Sequence, residues 1–381
     1  ISKCILRISC ALPCIEEATN RTQKRKTMDW IHNVLNIVAP PFILLLLCLF
    51  LPLFRLPKLL ISFLRSFFFT EDVAGKVVII TGAASGIGEQ LAYEYARRRA
   101  RLVLADIRGK ILTKVADTCR EMGSPDTVTV TADVTDVNDC KRIVDSAISH
   151  FRRLDHLVSN AGIASVRTVE DYVDITKARS VVDVNFWGSV YITRFAISHL
   201  RNTGGKIIAM ASSASWVPMP RLSIYSASKA AVVAFYETLR VEVGSDIHIM
   251  IVTPGFIESE MTKGKLLAGD GRMLVDEAVR DVLGKLFPLY KADRCAQSIV
   301  KSACRGERYL TEPAWYRVTY WLKTVSPELL EMVLGFIHLY FPKPGASSKI
   351  GSTEIKTQKW HSAPSISNLA SGWQRKCCTY L

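Results

Sequence analysis

Short apolar runs alternate with amphipathic stretches along residues 75–312. The runs are rich in Val and Ile and do not alternate with polar positions, which is typical of strands covered on both faces. The strands predicted from these runs are 76–80, 101–105, 128–132, 156–159, 206–211 and 248–252. The intervening stretches predict helices, for example over 88–99, 137–151, 176–200 and 225–243. This order predicts the α/β class, with one doubly wound parallel sheet in a single domain over 71–312.

A longer apolar segment precedes this domain. Residues 30–54 contain no Lys, Arg, Asp or Glu, and a segment of that length could cross a bilayer. Pro40, Pro41 and Pro52 interrupt it, and a proline inside a helix removes a hydrogen bond and clashes with the preceding turn. We therefore predict that residues 28–70 form a proline-broken hydrophobic anchor, a hairpin that enters one lipid leaflet. A secretory signal peptide is the alternative, but no small-residue cleavage site follows the segment.

Other parts of the chain depart from the strand–helix alternation. Residues 258–290 contain several glycines and predict a mobile cap over the site. Residues 313–341 are aromatic and amphipathic and predict a C-terminal extension, whereas the polar residues 342–381 predict a disordered tail. Residues 1–27 precede the first methionine, Met28, and lack periodicity, so we interpret them as an upstream or non-native segment.

The chain carries 49 basic and 35 acidic residues, a net charge of +14, and 49% of its residues are hydrophobic. A basic excess of this size can indicate nucleic-acid binding. Here, however, the basic residues gather on both sides of the apolar segment, from Arg21 to Lys26 and from Arg55 to Arg65, and again in the tail. Charges that flank an apolar anchor favour attraction to anionic lipid. We therefore predict a membrane or lipid surface as a partner, and no nucleic acid.

The ten cysteines form no framework. Cys119, Cys140, Cys295 and Cys304 stand singly in predicted helices, and the sequence has no CxxC pair and no Cys/His cluster. This spacing predicts reduced thiols, a cytosolic catalytic domain and no structural metal.

The first predicted strand runs into the glycine-rich turn Thr-Gly-Ala-Ala-Ser-Gly-Ile-Gly, residues 81–88, and then into a helix. Glycines at such a turn let the backbone approach a pyrophosphate, and the helix N-terminus offers unpaired N–H groups to the phosphates. A glycine-rich turn alone is a weak signal, but its place between strand and helix strengthens it. The predicted dinucleotide contacts here are Gly82, Ser85, Gly86, Ile87 and Gly88.

The ends of the next strands carry further candidate coenzyme contacts. Asp106 ends the second strand, where a carboxylate can accept hydrogen bonds from both adenosine-ribose hydroxyls and repels a 2′-phosphate. This position favours NAD, although Arg108 keeps NADP as an option. Asp133 follows the third strand and is placed to bind the adenine amino group, with Val134 beside it. After the fourth strand, small residues let the chain pass close under the coenzyme, and the candidates are Asn160, Ala161 and Gly162.

Tyr225 and Lys229 are the residues that indicate a reaction. Their spacing places both side chains on one face of a helix, one turn apart. Free tyrosine has a pKa of about 10, and a neighbouring lysine cation together with an oxidised nicotinamide favours the phenolate. Ser212 ends the fifth strand and is placed to hydrogen-bond the substrate oxygen, and Asn185 to hold a water that links Lys229 to solvent. These four residues after a glycine-rich turn predict a dehydrogenase in which Tyr225 transfers the proton.

The end of the sixth strand supplies the last candidates. Pro254 and Gly255 are typical turn residues, and they turn the chain so that the backbone of Ile257 can meet a nicotinamide carboxamide. Ser259 is placed to support that contact.

These motifs, in this order, resemble those of the short-chain dehydrogenase/reductase family over about residues 72–312. Finer similarity is to the plant 11β-hydroxysteroid dehydrogenase-like proteins, the steroleosins, in GEQLAYEYA, RLDHLV, NFWGSVY and RYLTEPAWYRVTYW and in the proline-flanked apolar segment. The resemblance implies a sterol dehydrogenase on a lipid-droplet or endoplasmic-reticulum membrane, with its catalytic domain in the cytosol. Three positions depart from the family pattern: Ser159 replaces a usual Asn, Asp106 stands where NADP-preferring members tend to carry a base, and Arg99 falls near a common glycine.

The sequence therefore predicts a Rossmann domain that interconverts a hydroxyl and a ketone on a sterol-like lipophilic molecule. NAD is the favoured coenzyme and NADP the alternative, and a homodimer is one option for its assembly. The same chemistry on a retinoid-like or long-chain alcohol or ketone is a second hypothesis. A lipid-droplet coat protein with minor activity is a third, although a coat has no need of Tyr225 together with Lys229.

Overall fold

The computed structural model describes residues 29–51, 53–54, 57 and 70–338, and a seven-stranded sheet forms its centre. The strands are β1 (Val77–Thr81), β2 (Arg101–Asp106), β3 (Thr127–Thr131), β4 (His156–Ser159), β5 (Lys206–Met210) and β6 (His248–Pro254), then the hairpin strands β7 (Lys265–Leu267) and β8 (Met273–Val275), and β9 (Tyr309–Glu312). The sheet order is β3-β2-β1-β4-β5-β6-β9, and all neighbouring pairs are parallel.

The predicted parallel sheet is thus confirmed, and its six predicted strands lie within two residues of those found. The edge strand β9 was missed because its four residues form no apolar run.

Helices cover both faces of this sheet. The helices are α1 (Asp29–Leu51), α2 (Gly86–Arg97), α3 (Gly109–Glu121), α4 (Val137–Phe151), α5 (Arg179–Val182), α6 (Gly188–Thr203), α7 (Ser223–Val243), α8 (Glu277–Leu286), α9 (Ala292–Cys304), α10 (Arg317–Val325) and α11 (Pro327–His338). Val78 and Ile80 of β1 pack with α2, α3 and α9, and Val77 and Ile79 pack on the other face with α4, α6 and α7. This burial on both faces explains why the strands read as continuous apolar runs.

The N-terminal segment forms the single helix α1, with a mean hydropathy of 2.6 in its most apolar window and none of that window buried. By length and composition α1 could cross a membrane. The prediction that Pro40 and Pro41 break the segment is wrong, because the helix continues through both. Each proline removes one hydrogen bond, but its φ of about −65° is helical, so the bonds of the other residues can hold the helix together. Leu53, Phe54 and Pro57 are also helical, whereas Pro52 and residues 55–56 and 58–69 of the predicted hairpin lie outside the described residues.

Glu71 fixes the place where the chain enters the domain. Its carboxylate pairs with Lys76 and Lys206 and lies 3.3 Å from Nε2 of the fully buried His156. These partners stand at the amino ends of β1, β4 and β5, so this cluster lies at the opposite edge of the sheet from the carboxyl ends of the strands.

The predicted cap and C-terminal extension both have regular structure. Within 258–290, β7 and β8 form an antiparallel hairpin and α8 follows it. α11 packs through Leu330 and Leu334 against Val217 and Met219. The segment 1–27 and the predicted tail 342–381 lie outside the described residues.

Candidate active site

The carboxyl ends of the parallel strands open into a cleft of about 490 Å³. It lies beside β1 and β4, where the strand order reverses, and this is the place where ligands bind to open α/β sheets. Most of the predicted site residues line the cleft, namely Gly82, Ser85, Gly86, Ile87, Asp106, Asp133, Val134, Asn160, Ala161, Gly162, Ser212, Tyr225, Lys229, Pro254, Gly255 and Ile257. Gly88 and Asn185 do not line the cleft, but both contact backbone atoms of residues that do, Gly82 and Ile163.

The glycine-rich turn leaves no room for side chains. Gly82 and Gly86 have φ values of 67° and 60°, in the left-handed region that favours glycine. A Cβ atom on Gly88 would lie 2.1 Å from the carbonyl oxygen of Gly82, because α2 begins directly against the end of β1. The N-terminus of α2 therefore lies at the cleft, where its backbone N–H groups suit an anion.

Asn160 and Ala161 hold this turn from the neighbouring strand. Asn160 Nδ2 donates to the carbonyl oxygen of Thr81 over 2.9 Å, and the backbone N–H of Asn160 donates to Thr81 Oγ1 over 3.0 Å. A Cβ atom on Gly82 would lie 2.8 Å from the Cα of Ala161. The side chain of Asn160 thus supports the turn, while Ala161 and Gly162 add small residues to the cleft wall.

The carboxylate of Asp106 lines the cleft and accepts hydrogen bonds from neighbouring groups. Its Oδ2 accepts the backbone N–H of Ala84 over 3.1 Å, and its Oδ1 accepts both the backbone N–H and Nε of Arg108 over 3.0 Å. The residue is buried at the end of β2. Its carboxylate therefore stands at the predicted ribose position with a guanidinium beside it.

Asp133 and Val134 lie at the same end of the cleft. Asp133 is exposed, and its Oδ1 accepts both the N–H and the hydroxyl of Thr135, over 2.9 and 2.8 Å. Val134 is buried against Gly188, where a Cβ would lie 2.8 Å from Val134 Cγ2. Their contacts with an adenine remain predictions.

Tyr225 and Lys229 share one face of α7, as their spacing predicts, and both are buried. Lys229 Nζ donates to the carbonyl oxygen of Met210 over 2.9 Å and lies 6.0 Å from the centre of the Tyr225 ring. Burial lowers the pKa of Lys229 to about 8, so at neutral pH the amine is mostly charged. Burial also raises the pKa of Tyr225, and the hydrogen bond with Ser212 only partly offsets this effect. The phenol is therefore protonated at neutral pH in this environment.

Ser212 is held in place by the backbone around it. It precedes a short 3₁₀ turn, and its Oγ accepts the N–H of Ala214 over 3.1 Å and lies 3.4 Å from the carbonyl oxygen of Pro254. Ser212 and Tyr225 both line the cleft, and the side chain of Ser212 partly offsets the rise in the pKa of Tyr225. The two hydroxyls can therefore address one substrate oxygen.

Asn185 lies in a π-helical turn, Asp183–Trp187, and is fully buried. Its Oδ1 accepts the N–H of Ile163 over 2.9 Å, and its Nδ2 donates to the carbonyl oxygen of Ile163 and to Ser228 Oγ. Ser228 in turn donates to the carbonyl oxygen of Tyr225 over 2.7 Å. Asn185 thus joins the loop after β4 to the helix that carries Tyr225, and its role in a water relay remains a prediction.

The cleft around Tyr225 is apolar. Tyr225 belongs to a cluster that includes Ala164 and Leu267, with Ile163 and Met261 packed against it. Ile163, Met261 and Leu267 line the cleft, whereas the stacked rings of Phe256 and Phe287, with centroids 4.3 Å apart, pack in the same cluster outside the lining. Such walls suit a lipophilic molecule.

Two contacts that shape the site were not predicted from the sequence. Glu260 of the cap lines the cleft and pairs with Arg108 over 2.6 Å. Tyr316, after β9, packs so closely on Gly255 that a Cβ there would lie 2.3 Å from its Cε2 atom. Both contacts join distant parts of the chain, so no local pattern signals them.

The described residues include no group of three His, Cys, Asp or Glu side chains that could hold a metal ion. In the same part of the chain, the cysteines Cys48, Cys119, Cys140, Cys295 and Cys304 are free.

A family model for short chain dehydrogenases matches residues 76–268 of this chain. The chain belongs to the short-chain dehydrogenase/reductase family. It is 54% identical over 322 residues to 11-beta-hydroxysteroid dehydrogenase A of Sesamum indicum, covering 84% of this chain and 91% of that protein. It is also 54% identical over 307 residues to 11-beta-hydroxysteroid dehydrogenase 1A of Arabidopsis thaliana, covering 80% and 87% of the two chains. The resemblance seen in the motifs is confirmed, and the protein is an oxidoreductase of this family.

Solved structures agree on the fold. A short chain dehydrogenase/reductase of Burkholderia phymatum in complex with NAD matches with a TM-score of 0.62 at 24% identity, over 68% of this chain and 96% of that one. The 3-ketoacyl-(acyl-carrier-protein) reductase of Brucella melitensis complexed with NADH matches with a TM-score of 0.54 at 27% identity, over 63% and 97%. A short chain dehydrogenase of Burkholderia cenocepacia in complex with NADP matches with a TM-score of 0.57 at 23% identity, over 69% and 99%.

The cleft fits a nicotinamide dinucleotide. At Gly82 and Gly86 the backbone itself forms the wall, and α2 starts there, as a pyrophosphate requires. Asp106 lies at one end of the same cleft and Tyr225 at its apolar part. Solved structures of similar proteins hold NAD, NADH or NADP.

Proposed function

We propose that this oxidoreductase interconverts a hydroxyl and a ketone on a sterol-like substrate, with NAD as the preferred coenzyme. One observation carries the proposal: Ser212, Tyr225 and Lys229 meet beside an apolar wall in the same cleft that the glycine-rich turn closes. The names of the 54% identical relatives support the sterol class. The general class of reaction follows from the family.

Tyr225 is the proposed general acid and base. In ketone reduction its hydroxyl donates a proton to the carbonyl oxygen while Ser212 Oγ donates a hydrogen bond to the same oxygen, and in alcohol oxidation the proton moves in the opposite sense. The nicotinamide, when bound, supplies or accepts the hydride. Lys229, held by Met210, keeps a cation near the phenol and orients the ribose. Asn185 is proposed to extend the proton path through a water.

The proposed coenzyme contacts follow the cleft from end to end. The turn from Gly82 to Gly88 takes the pyrophosphate, and Asp106 takes the adenosine ribose. Asp133 and Val134 lie at the adenine position, Asn160 to Gly162 lie under the coenzyme, and Pro254 to Ile257 meet the carboxamide. NAD is preferred in this proposal because the Asp106 carboxylate disfavours a 2′-phosphate.

The proposed location is the cytosolic face of a lipid droplet or of the endoplasmic reticulum. The length and apolar composition of α1 support an anchor, and the basic residues around it support an anionic surface. A lipid surface is also where a sterol-like substrate accumulates.

Turnover tests the proposal. The full chain in detergent is assayed with hydroxysteroids, oxosteroids, a retinoid alcohol and a long-chain alcohol, each with NAD(H) and NADP(H). We expect the highest kcat/KM for a hydroxysteroid or oxosteroid with the NAD couple. A higher value for the retinoid or long-chain alcohol would refute the sterol class, and no turnover with any of them would favour the coat-protein hypothesis. The Tyr225→Phe variant measures the background rate.

A further inference from the structure

Glu260 links the cap to the adenosine end of the cleft. Its Oε2 accepts hydrogen bonds from Arg108 Nη1 over 2.6 Å and from Ser85 Oγ over 3.0 Å, and it pairs with Lys265 Nζ over 3.1 Å. We propose that Glu260 is a coenzyme-specificity residue that discriminates against a 2′-phosphate by holding Arg108. The inference rests on the proposed dinucleotide site and goes beyond it, since coenzyme choice would then be shared between β2 and the cap.

The guanidinium of Arg108 is occupied on each of its three nitrogens. Nε donates to Asp106 Oδ1 over 3.0 Å, Nη1 donates to Glu260, and Nη2 donates to Ser85 Oγ over 2.8 Å. An arginine binds a phosphate through this same planar fork of donors. A 2′-phosphate would therefore have to displace Glu260 before it could use Arg108.

The charges of the four ion-paired groups beside the ribose position balance. Asp106 and Glu260 carry two negative charges, and Arg108 and Lys265 carry two positive charges. Removing the charge of Glu260 leaves these four groups with a net positive charge, and this change favours the binding of a phosphate dianion. Hydrogen bonds from Lys265, Arg108 and Ser85 outweigh the effect of burial and lower the pKa of Glu260, so this carboxylate stays ionised at neutral pH.

The cap sits directly on the glycine-rich turn at this point. A Cβ atom on Gly86 would lie 3.3 Å from the Cβ of Ser259, the residue before Glu260. Glu260 is thus close to both the pyrophosphate turn and the ribose position. If it served only to fasten the cap, its loss would weaken all adenine nucleotides alike, and this difference can be measured.

The test uses nucleotide fragments and requires no turnover. Binding of adenosine 5′-monophosphate and of adenosine 2′,5′-bisphosphate to the full chain in detergent is measured by titration calorimetry. For Glu260→Gln, we expect the ratio of the bisphosphate Kd to the monophosphate Kd to fall about five- to tenfold, as one partly screened charge within about 8 Å would produce. In an Arg108→Ala background there is no guanidinium to release, so the same substitution should lower the ratio clearly less than it does in the wild-type background.

Glu258→Gln is the matched control. Glu258 lies two residues away and forms a half-exposed ion pair with Lys263 over 3.4 Å, away from the cleft lining. This variant should keep the wild-type ratio of the two Kd values. That result would show that removing a different carboxylate from the cap does not change the ratio.

Two results would overturn the inference. One is an unchanged ratio in Glu260→Gln, including the case in which both fragments bind equally more weakly. The other is a fall in the ratio that is equally large without Arg108. Absence of sterol turnover in the same preparation would refute the proposed substrate and leave the fragment ratio as it is, so the two proposals fail separately.

Discussion

Replacing Tyr225 by Phe removes one oxygen atom from the apolar cluster around the proposed reaction centre. The ring is 9% exposed and packs with Ala164 and Leu267, and the phenylalanine ring fills the same space. The fold loses at most one hydrogen bond of the phenol oxygen, and such a bond is worth about 0.5–1.5 kcal/mol of unfolding free energy. In a domain of this size that loss lowers Tm by only a few degrees.

The effect on catalysis should be far larger. If Tyr225 transfers the proton, its removal lowers kcat by about 10²–10⁴-fold, the usual contribution of a positioned acid or base. The dinucleotide should still bind, because the glycine-rich turn and Asp106 are distant from the lost oxygen along the cleft. The measurements are steady-state turnover with the best substrate of the panel, NAD binding by calorimetry and urea unfolding.

Tyr236→Phe is the matched control. Tyr236 lies on the same helix α7, is fully buried, and its hydroxyl lies 2.8 Å from Thr193 Oγ1. Its loss should lower stability by a similar amount and leave kcat nearly unchanged, because it lies outside the cleft lining. The role given to Tyr225 is refuted if Tyr225→Phe keeps more than about a tenth of the wild-type kcat, or if the control loses as much.

Further predictions concern pH, coenzyme choice, backbone strain and the anchor. Because burial raises the pKa of Tyr225, the rate of alcohol oxidation should increase as pH rises above neutrality. The rate of ketone reduction should decrease above about pH 8, where Lys229 loses its proton. Initial rates measured in both directions that do not change with pH would contradict this prediction. Asp106→Ala should narrow the ratio of kcat/KM for NAD over NADP while weakening both coenzymes, and an unchanged ratio would exclude Asp106 as a determinant. Arg99 has a φ of 60°, so Arg99→Gly should raise the unfolding free energy in urea by about 0.5–1 kcal/mol, and a loss of stability would contradict the assigned strain. Deleting residues 30–69 should give an active enzyme that no longer floats with lipid droplets, and a deletion variant that still floats would move the anchor to the C-terminal helices.

The sequence predicted the sheet well because burial on both faces leaves a strong local trace. The β1 run Val-Val-Ile-Ile is apolar at every position, since alternate side chains enter opposite cores. The strand β9 leaves no such trace, because it is short and lies at an edge. The helix α1 shows the opposite error: Pro40 and Pro41 are locally unfavourable, but two lost hydrogen bonds do not outweigh the rest of the helix.

The candidate site likewise contains residues that could be predicted from the sequence and residues that could not. The positions of Gly82 and Gly88 in one turn, and of Tyr225 and Lys229 on one face of a helix, were predictable because they follow from short fixed spacings. The contact of Glu260 could not be predicted, because its partner Arg108 is 152 positions away in the chain. Contacts of this kind depend on tertiary structure, and a single sequence carries no periodic signal for them.

The proposed substrate and the proposed proton transfer make opposing demands on the environment of Tyr225. Walls that suit a sterol exclude water, and the same burial raises the pKa of the phenol and so disfavours the phenolate that oxidation needs. Lys229 is buried beside it and donates a hydrogen bond to the carbonyl oxygen of Met210. A cation can therefore persist near the ring at neutral pH, although burial lowers the pKa of Lys229. The balance leaves Tyr225 protonated at neutral pH, which equips it to give a proton to a ketone. For the proposed enzyme, proton supply therefore favours reduction at neutral pH, and oxidation requires either a higher pH or the added positive charge of an oxidised nicotinamide.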